Sequence, residues 1–137
     1  MRVLGLDLGT VTLGVAVSDA LGMIARPLIT LRFEHEDFQH AISQLLPIIK
    51  EQGAKTLVLG LPKHMNGSLG VSALRSQEFK RLVEEAADVE VVLVDERLST
   101  VAAQRMMIES DLSRKKRKQV IDQMAAVQIL QGYLDRK

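Results

Sequence analysis

The chain of 137 residues has no cysteine, no tryptophan, a single tyrosine and three prolines. Without cysteine there are no disulfides, no thiol nucleophile and no zinc–thiolate site, which suits a reducing compartment. Aromatic residues make up 3% of a chain that is 47% hydrophobic, so the core must be built from Leu, Ile, Val, Ala and Met. That scarcity argues against recognition of single strands by stacking, which needs several exposed rings. No apolar run approaches the ~20 residues that span a bilayer. The first fourteen residues contain Asp7 and three glycines and do not read as a signal peptide. The expectation is a cytoplasmic protein with no membrane contact. Its length suits one domain over 1–137, with room for a core but not for two full lobes.

Net charge is only +1, but it is unevenly placed. Residues 114–137 hold seven Lys/Arg against two Asp/Glu, a balance of +5, while residues 1–113 hold eleven against fifteen, a balance of −4. Much of the excess lies in one run, Arg114, Lys115, Lys116, Arg117 and Lys118. A basic segment on an otherwise acidic chain suggests local contact with a polyanion. A solvated loop is the plain alternative.

Residues 2–7 and 13–18 read as strands joined by the turn at 9–12, in the short, glycine-marked pattern of an antiparallel hairpin. Residues 26–32 form a third strand with Pro27 at its start. A helix is expected over 36–52, with Phe38, Ile42, Leu45 and Ile49 on one face. Pro47 should kink or break it, and Gly53 is a plausible stop. A strand at 55–61, a loop from Pro62 to Gly70, a helix at 71–87 and a strand at 90–95 follow. Ser99 can cap a helix running to about Glu109; 110–118 reads as a polar loop and 119–136 as the last helix. The order predicts an α/β fold with a mixed five-stranded sheet: the first three strands antiparallel, the last two parallel and on the side of the first.

Three carboxylates stand out against this pattern. Asp7 sits within the apolar run Val3–Gly9, where burial is costly unless something pairs with it or coordinates it. Alternation turns it to the same side as Gly5 and Gly9, which would leave room for a ligand. Glu96 follows the apolar run ending at Asp95, and only one of this adjacent pair should reach the site side of the sheet. Asp122 shares a helical face with Ala125, Ala126 and Ile129, small residues that permit close approach to the sheet. Site residues in α/β sheets gather at the carboxyl ends of parallel strands, where Asp7 and Glu96 both fall. Three oxygen ligands suit Mg²⁺ or Mn²⁺ over zinc or copper, and such ions can activate water for phosphodiester hydrolysis without a side-chain nucleophile. Arg97 can pair with Asp95 or touch a phosphate, and His64, on the loop after a site-facing strand, is a candidate substrate contact. Asp19 reads as the cap of the turn at 18–22. His35 and His40 read as surface residues.

Together these motifs closely resemble the YqgF family, also called RuvX, small bacterial proteins of the RNase H-like superfamily similar to Holliday junction resolvases. The resemblance rests on Leu-Asp-Leu-Gly-Thr at 6–10, Gly-Val-Ala-Val-Ser-Asp at 14–19 and Gly-Leu-Pro at 60–62 with Met-Asn-Gly at 65–67. It continues through Asp-Glu-Arg-Leu-Ser-Thr at 95–100, Ile-Asp at 121–122, Ala-Ala at 125–126 and Ile-Leu-Gln-Gly-Tyr-Leu-Asp at 129–135. It implies an RNase H-like fold and a cytoplasmic nuclease that matures the 5′ end of the small-subunit ribosomal RNA precursor. The family's acidic residues map onto Asp7, Glu96 and Asp122. Many relatives carry basic residues in the first turn, whereas this chain has Thr10-Val11-Thr12-Leu13. Phosphate contacts there fall to backbone N–H groups and the hydroxyls of Thr10 and Thr12.

Nucleic acid is therefore the expected partner: ribosomal RNA precursor first, branched DNA second, with a pre-ribosomal particle as a possible setting. Symmetric junction cutting needs a two-fold dimer; no dimer seam is evident, so a monomer or weak dimer is expected. A reading of another class is a non-catalytic RNA-binding assembly factor. An ATP-binding kinase or chaperone also begins with Asp-x-Gly-Thr but needs a second lobe that 137 residues cannot supply.

Overall fold

The chain forms β1 (Val3–Leu8), β2 (Thr12–Ser18), β3 (Ala25–Arg32), α1 (Phe38–Gln52), β4 (Thr56–Leu61), α2 (Val71–Ala86), β5 (Glu90–Asp95) and α3 (Arg114–Asp135). The computed structural model describes residues 2–61, 71–95 and 114–136, with backbone alone at 71, 72, 95 and 114–123. The five strands make one sheet in the order β3-β2-β1-β4-β5. β1, β2 and β3 run antiparallel, and β4 and β5 run parallel to β1. β4 lies directly against β1, and β5 stands one place further out.

Period-two alternation explains the layering. Leu4 and Leu6 of β1, with Leu13, Val15 and Val17 of β2, pack under Phe38, Ile42, Leu45 and Ile49 of α1 and Phe79 and Val83 of α2. The opposite face carries Val3, Ala16 and Val58 beneath Ala126, Ile129, Leu130 and Leu134 of α3. β1 is thus covered on both sides, which is why its sequence is nearly unbroken apolar. Each fully buried Leu or Val contributes about 1.5–3 kcal/mol of transfer free energy. The chain's three phenylalanines meet edge to face: Phe33 and Phe38 at 6.1 Å, Phe38 and Phe79 at 5.7 Å. They tie the segment after β3 to α1 and α2.

The Asp37 carboxylate accepts from His40 N at the start of α1, and Gly53 ends it at φ 65°, a left-handed cap that glycine takes without strain. The helix continues through Pro47. Pro47 and Ser43 are both exposed, so the carbonyl deprived of its amide partner faces water. In β3, Pro27 is the third residue, not the first, and is accommodated by an edge strand with a register shift between Val15 and Ala16.

One boundary departs from the sequence pattern by several residues. The last helix starts at Arg114, not near 119, so the basic run expected in a loop belongs to its first turns. Arg and Lys are good helix formers, and apolar periodicity, absent before Val120, could not reveal them. The loop at 62–70 and the helix expected from Ser99 lie outside the described residues.

Candidate active site

The carboxyl ends of β1, β4 and β5 share one edge of the sheet. Leu6 pairs with Leu59, Leu59 with Leu93, and Leu61 with Asp95. Asp7 lies at this edge, half-buried, opposite Gly14 of β2. It shares the α3 face with Val3 and Gly5, because Leu4 and Leu6 point to the other core.

Gly5 fixes the depth at which α3 sits. A Cβ there would lie 2.6 Å from Leu130 Cβ and 2.8 Å from the Ala126 carbonyl oxygen. The sequence suggested that Gly5 leaves room for a ligand; the helix fills that room instead. Gln131 marks the direction of α3: its Oε1 accepts from Ala25 N at 2.8 Å and its Nε2 donates to Met23 O at 3.0 Å. Ala25 pairs with Ser18, whose hydroxyl accepts from Val3 N. The carboxyl-terminal half of α3 therefore lies at the amino end of β1, and the helix climbs backwards toward the carboxyl edge. From Ala126 to Asp122 is one helical turn of about 6 Å. From Gly5 to Asp7 is a strand advance of about 6.7 Å. Asp122 thus lies on the turn of α3 beyond Ala126, toward the carboxyl edge where Asp7 stands.

Val94 packs with the α3-side core, so β5 alternation turns that side at every second residue. Glu96, Arg97 and His64 lie outside the described residues, and Arg114, Lys115, Lys116, Arg117 and Lys118 are placed by backbone only on the first turns of α3. Among the described residues no group of three or more Asp, Glu or His comes together as a metal cluster.

The β1–β2 turn beside Asp7 is tightly built. Gly9 N donates to Thr12 O at 2.8 Å, so that amide is committed within the turn. Thr12 is nearly buried, with Oγ1 3.2 Å from the position of a Cβ on Gly9, while Thr10 is half-exposed. The segment after β3 braces this turn: Phe33 N donates to Val11 O and Glu36 N to Thr10 O. Glu36 holds φ 57° without being glycine and forms an ion pair with Arg75 of α2. Arg75 lines a small cleft with Leu8, Gly9 and Thr10. Neither Glu36 nor Arg75 was singled out from the sequence, since two residues far apart in the chain carry no local signal of their pairing.

Asp19 serves the other end of the sheet. Its carboxylate accepts from Met23 N at 2.7 Å and Ile24 N at 3.2 Å, and these amides hold it below its ordinary pKa. It is a turn cap, as its position suggested. His35 and His40 are exposed, also as expected.

A family model described as Holliday junction resolvase, RuvX, matches residues 1–136. The chain belongs to the RuvX family. With that family it is a nuclease by descent. A relative from Geobacillus sp. (strain WCH70), named "Putative pre-16S rRNA nuclease", is 56% identical over 137 residues, covering 100% of this chain and 99% of its own. One of the same name from Bacillus pumilus (strain SAFR-032) is 52% identical over 135 residues, covering 98% of each. Among solved structures, Thermus thermophilus RuvC in complex with a Holliday junction substrate superposes with a TM-score of 0.63 at 13% identity, over 99% of this chain and 95% of that one. The fowlpox virus resolvase, also in complex with Holliday junction DNA, gives 0.59 at 10% identity over 99% and 98%. At such identities these two structures establish the fold alone: RuvX shares the RNase H-like sheet of the resolvases. Among the described residues no helix is long and apolar enough to cross a membrane.

Proposed function

We propose that this chain is a metal-dependent endonuclease of the cytoplasm that hydrolyses phosphodiester bonds and trims the 5′ end of the 16S ribosomal RNA precursor. We take residues 1–137 to be one catalytic domain working as a monomer or weak dimer. The observation that supports the reading is the seating of α3 on Gly5, two residues before Asp7 on the same face, with Asp122 one helical turn before Ala126. The names of relatives at 50–56% identity support the choice of substrate.

The donor set fits a hard divalent cation. Asp7, Glu96 and Asp122 offer carboxylate oxygens only, and Gly14 beside Asp7 adds no side chain to crowd the site. Bound there, Mg²⁺ or Mn²⁺ would supply an activated water and charge neutralisation at the phosphodiester. The protein's share is to hold the carboxylates: Asp7 on a central strand packed on both faces, Asp122 on a helix whose height Gly5 sets. Hydrolysis joins the oxygen of water to phosphorus and releases one ribose oxygen. The basic residues 114–118, Arg97 and His64 would hold the nucleic acid around this point, with Thr10 and Thr12 at the turn.

The test compares wild type with Asp7→Asn on a labelled ribosomal RNA precursor and on a four-way DNA junction, each with Mg²⁺, Mn²⁺ or chelator. The expected outcome is metal-dependent cutting of the RNA that falls by about 100-fold or more in the variant, with an unchanged melting temperature. Cleavage retained by Asp7→Asn would sink the assignment. Cutting confined to the junction would move the function to DNA, the second reading, which the family description favours. Binding of RNA without cutting under any condition would make the chain an assembly factor.

A further inference from the structure

We infer that Arg75 is a phosphate-contacting residue, holding the nucleic-acid backbone on the α2 side of the β1–β2 turn, next to the phosphate being cut. This rests on the nuclease reading and extends its site to the opposite face of the sheet from α3. Arg75 shares with Leu8, Gly9 and Thr10 a cleft of about 40 Å³, which opens within two or three residues of Asp7. The turn itself, Thr10-Val11-Thr12-Leu13, carries no cation, and Gly9 N–H is already committed to Thr12 O. A phosphate resting there would find its positive charge on α2.

The state of the Arg75 side chain supports this role. Its Nε is buried against the Glu36 carboxylate, with which it is ion-paired. The side chain remains 30% exposed and that of Glu36 42%. A guanidinium has five N–H donors in a fixed fork, and one carboxylate touching one edge orients the group without saturating it. Planar forks of this kind suit phosphate oxygens. Glu36 reaches Arg75 from a left-handed backbone conformation that costs a non-glycine residue of the order of 1–3 kcal/mol. Its own N–H is fixed to Thr10 O. The carboxylate that aims Arg75 is therefore anchored to the same turn whose cleft Arg75 lines.

The experiment measures binding of the labelled RNA precursor and of a labelled four-way junction in chelator, across a salt series, for wild type, Arg75→Gln and Glu36→Gln. Thermal melts confirm that each variant is folded. The expected result for Arg75→Gln is binding weakened roughly three- to tenfold at low salt, with a log–log salt slope shallower by about 0.7–0.9, one phosphate contact. Because phosphate contacts carry no sequence information, the loss should be similar for RNA and DNA. Glu36→Gln keeps the cation and, through the amide oxygen, an acceptor to orient it while removing the counter-charge, so its affinity should hold or rise. A folded Arg75→Gln protein with the wild-type slope would overturn the inference and leave Arg75 as a staple to Glu36. Equal losses in Arg75→Gln and Glu36→Gln would do the same, because a structural pair fails from either side. Wild-type protein that binds neither nucleic acid would remove the nuclease reading first and this inference with it, a result distinct from the other two.

Discussion

At position 5 the protein has space for a hydrogen and nothing larger. The Ala126 carbonyl that a Cβ would meet at 2.8 Å is helix backbone and cannot rotate away. Gly5→Ala must therefore lift α3 or bend β1. Overpacking of this kind costs about 1–3 kcal/mol, to be read as a lower urea midpoint with an unchanged slope. The same lift would part the Asp7 and Asp122 positions, so cleavage should fall by more than the lost stability explains when both are assayed well below the unfolding transition. A Gly5→Ala protein with wild-type midpoint and activity would mean that α3 adjusts freely and that its height does not set the site. The sequence showed the alternation that puts Gly5 and Asp7 on one side, but it gave the wrong occupant for the space. A glycine in a strand reads alike whether a ligand or a helix approaches it.

The elements of the sheet were legible because their signals are local. Alternating or continuous apolar runs of six to eight residues, bounded by Gly9, Asp19 and Gly53, mark strands and stops without knowledge of partners. The start of α3 was not legible, because Arg114–Lys118 favour helix yet have no apolar partner to show its period. Nor could the sequence reveal that half-buried Gln128 on α3 has both amide atoms out of reach of solvent and neither hydrogen-bonded. A buried polar group left unpaired costs about 1–3 kcal/mol, and an apolar residue of similar shape is neutral or better. Gln128→Leu should thus leave the melting temperature unchanged or raise it. A clear drop would show that the amide has a partner, such as a buried water.

Over the whole molecule, charge and helix direction work together. Five cations lie on the first turns of α3, with no acidic residue in its first turn. A helix N-terminus already carries roughly half a positive charge, and each added cation there is unfavourable by about 0.3–1 kcal/mol in low salt. For folding alone this arrangement is a penalty; for a polyanion it concentrates positive potential at the end of α3 that climbs toward the carboxyl edge of the sheet. Replacing Arg114, Lys115, Lys116, Arg117 and Lys118 with Gln keeps helix propensity while removing the charge. The variant should melt no lower than wild type at low salt. Its RNA binding should lose much of its salt dependence, the slope becoming shallower by about 0.7–0.9 for each phosphate contact removed. The two readouts separate the alternatives. A solvated helix end would give a stability gain and no change in slope, whereas a nucleic-acid contact would change both, and cleavage would weaken through KM before kcat because the cluster holds substrate and does not touch the reacting atoms.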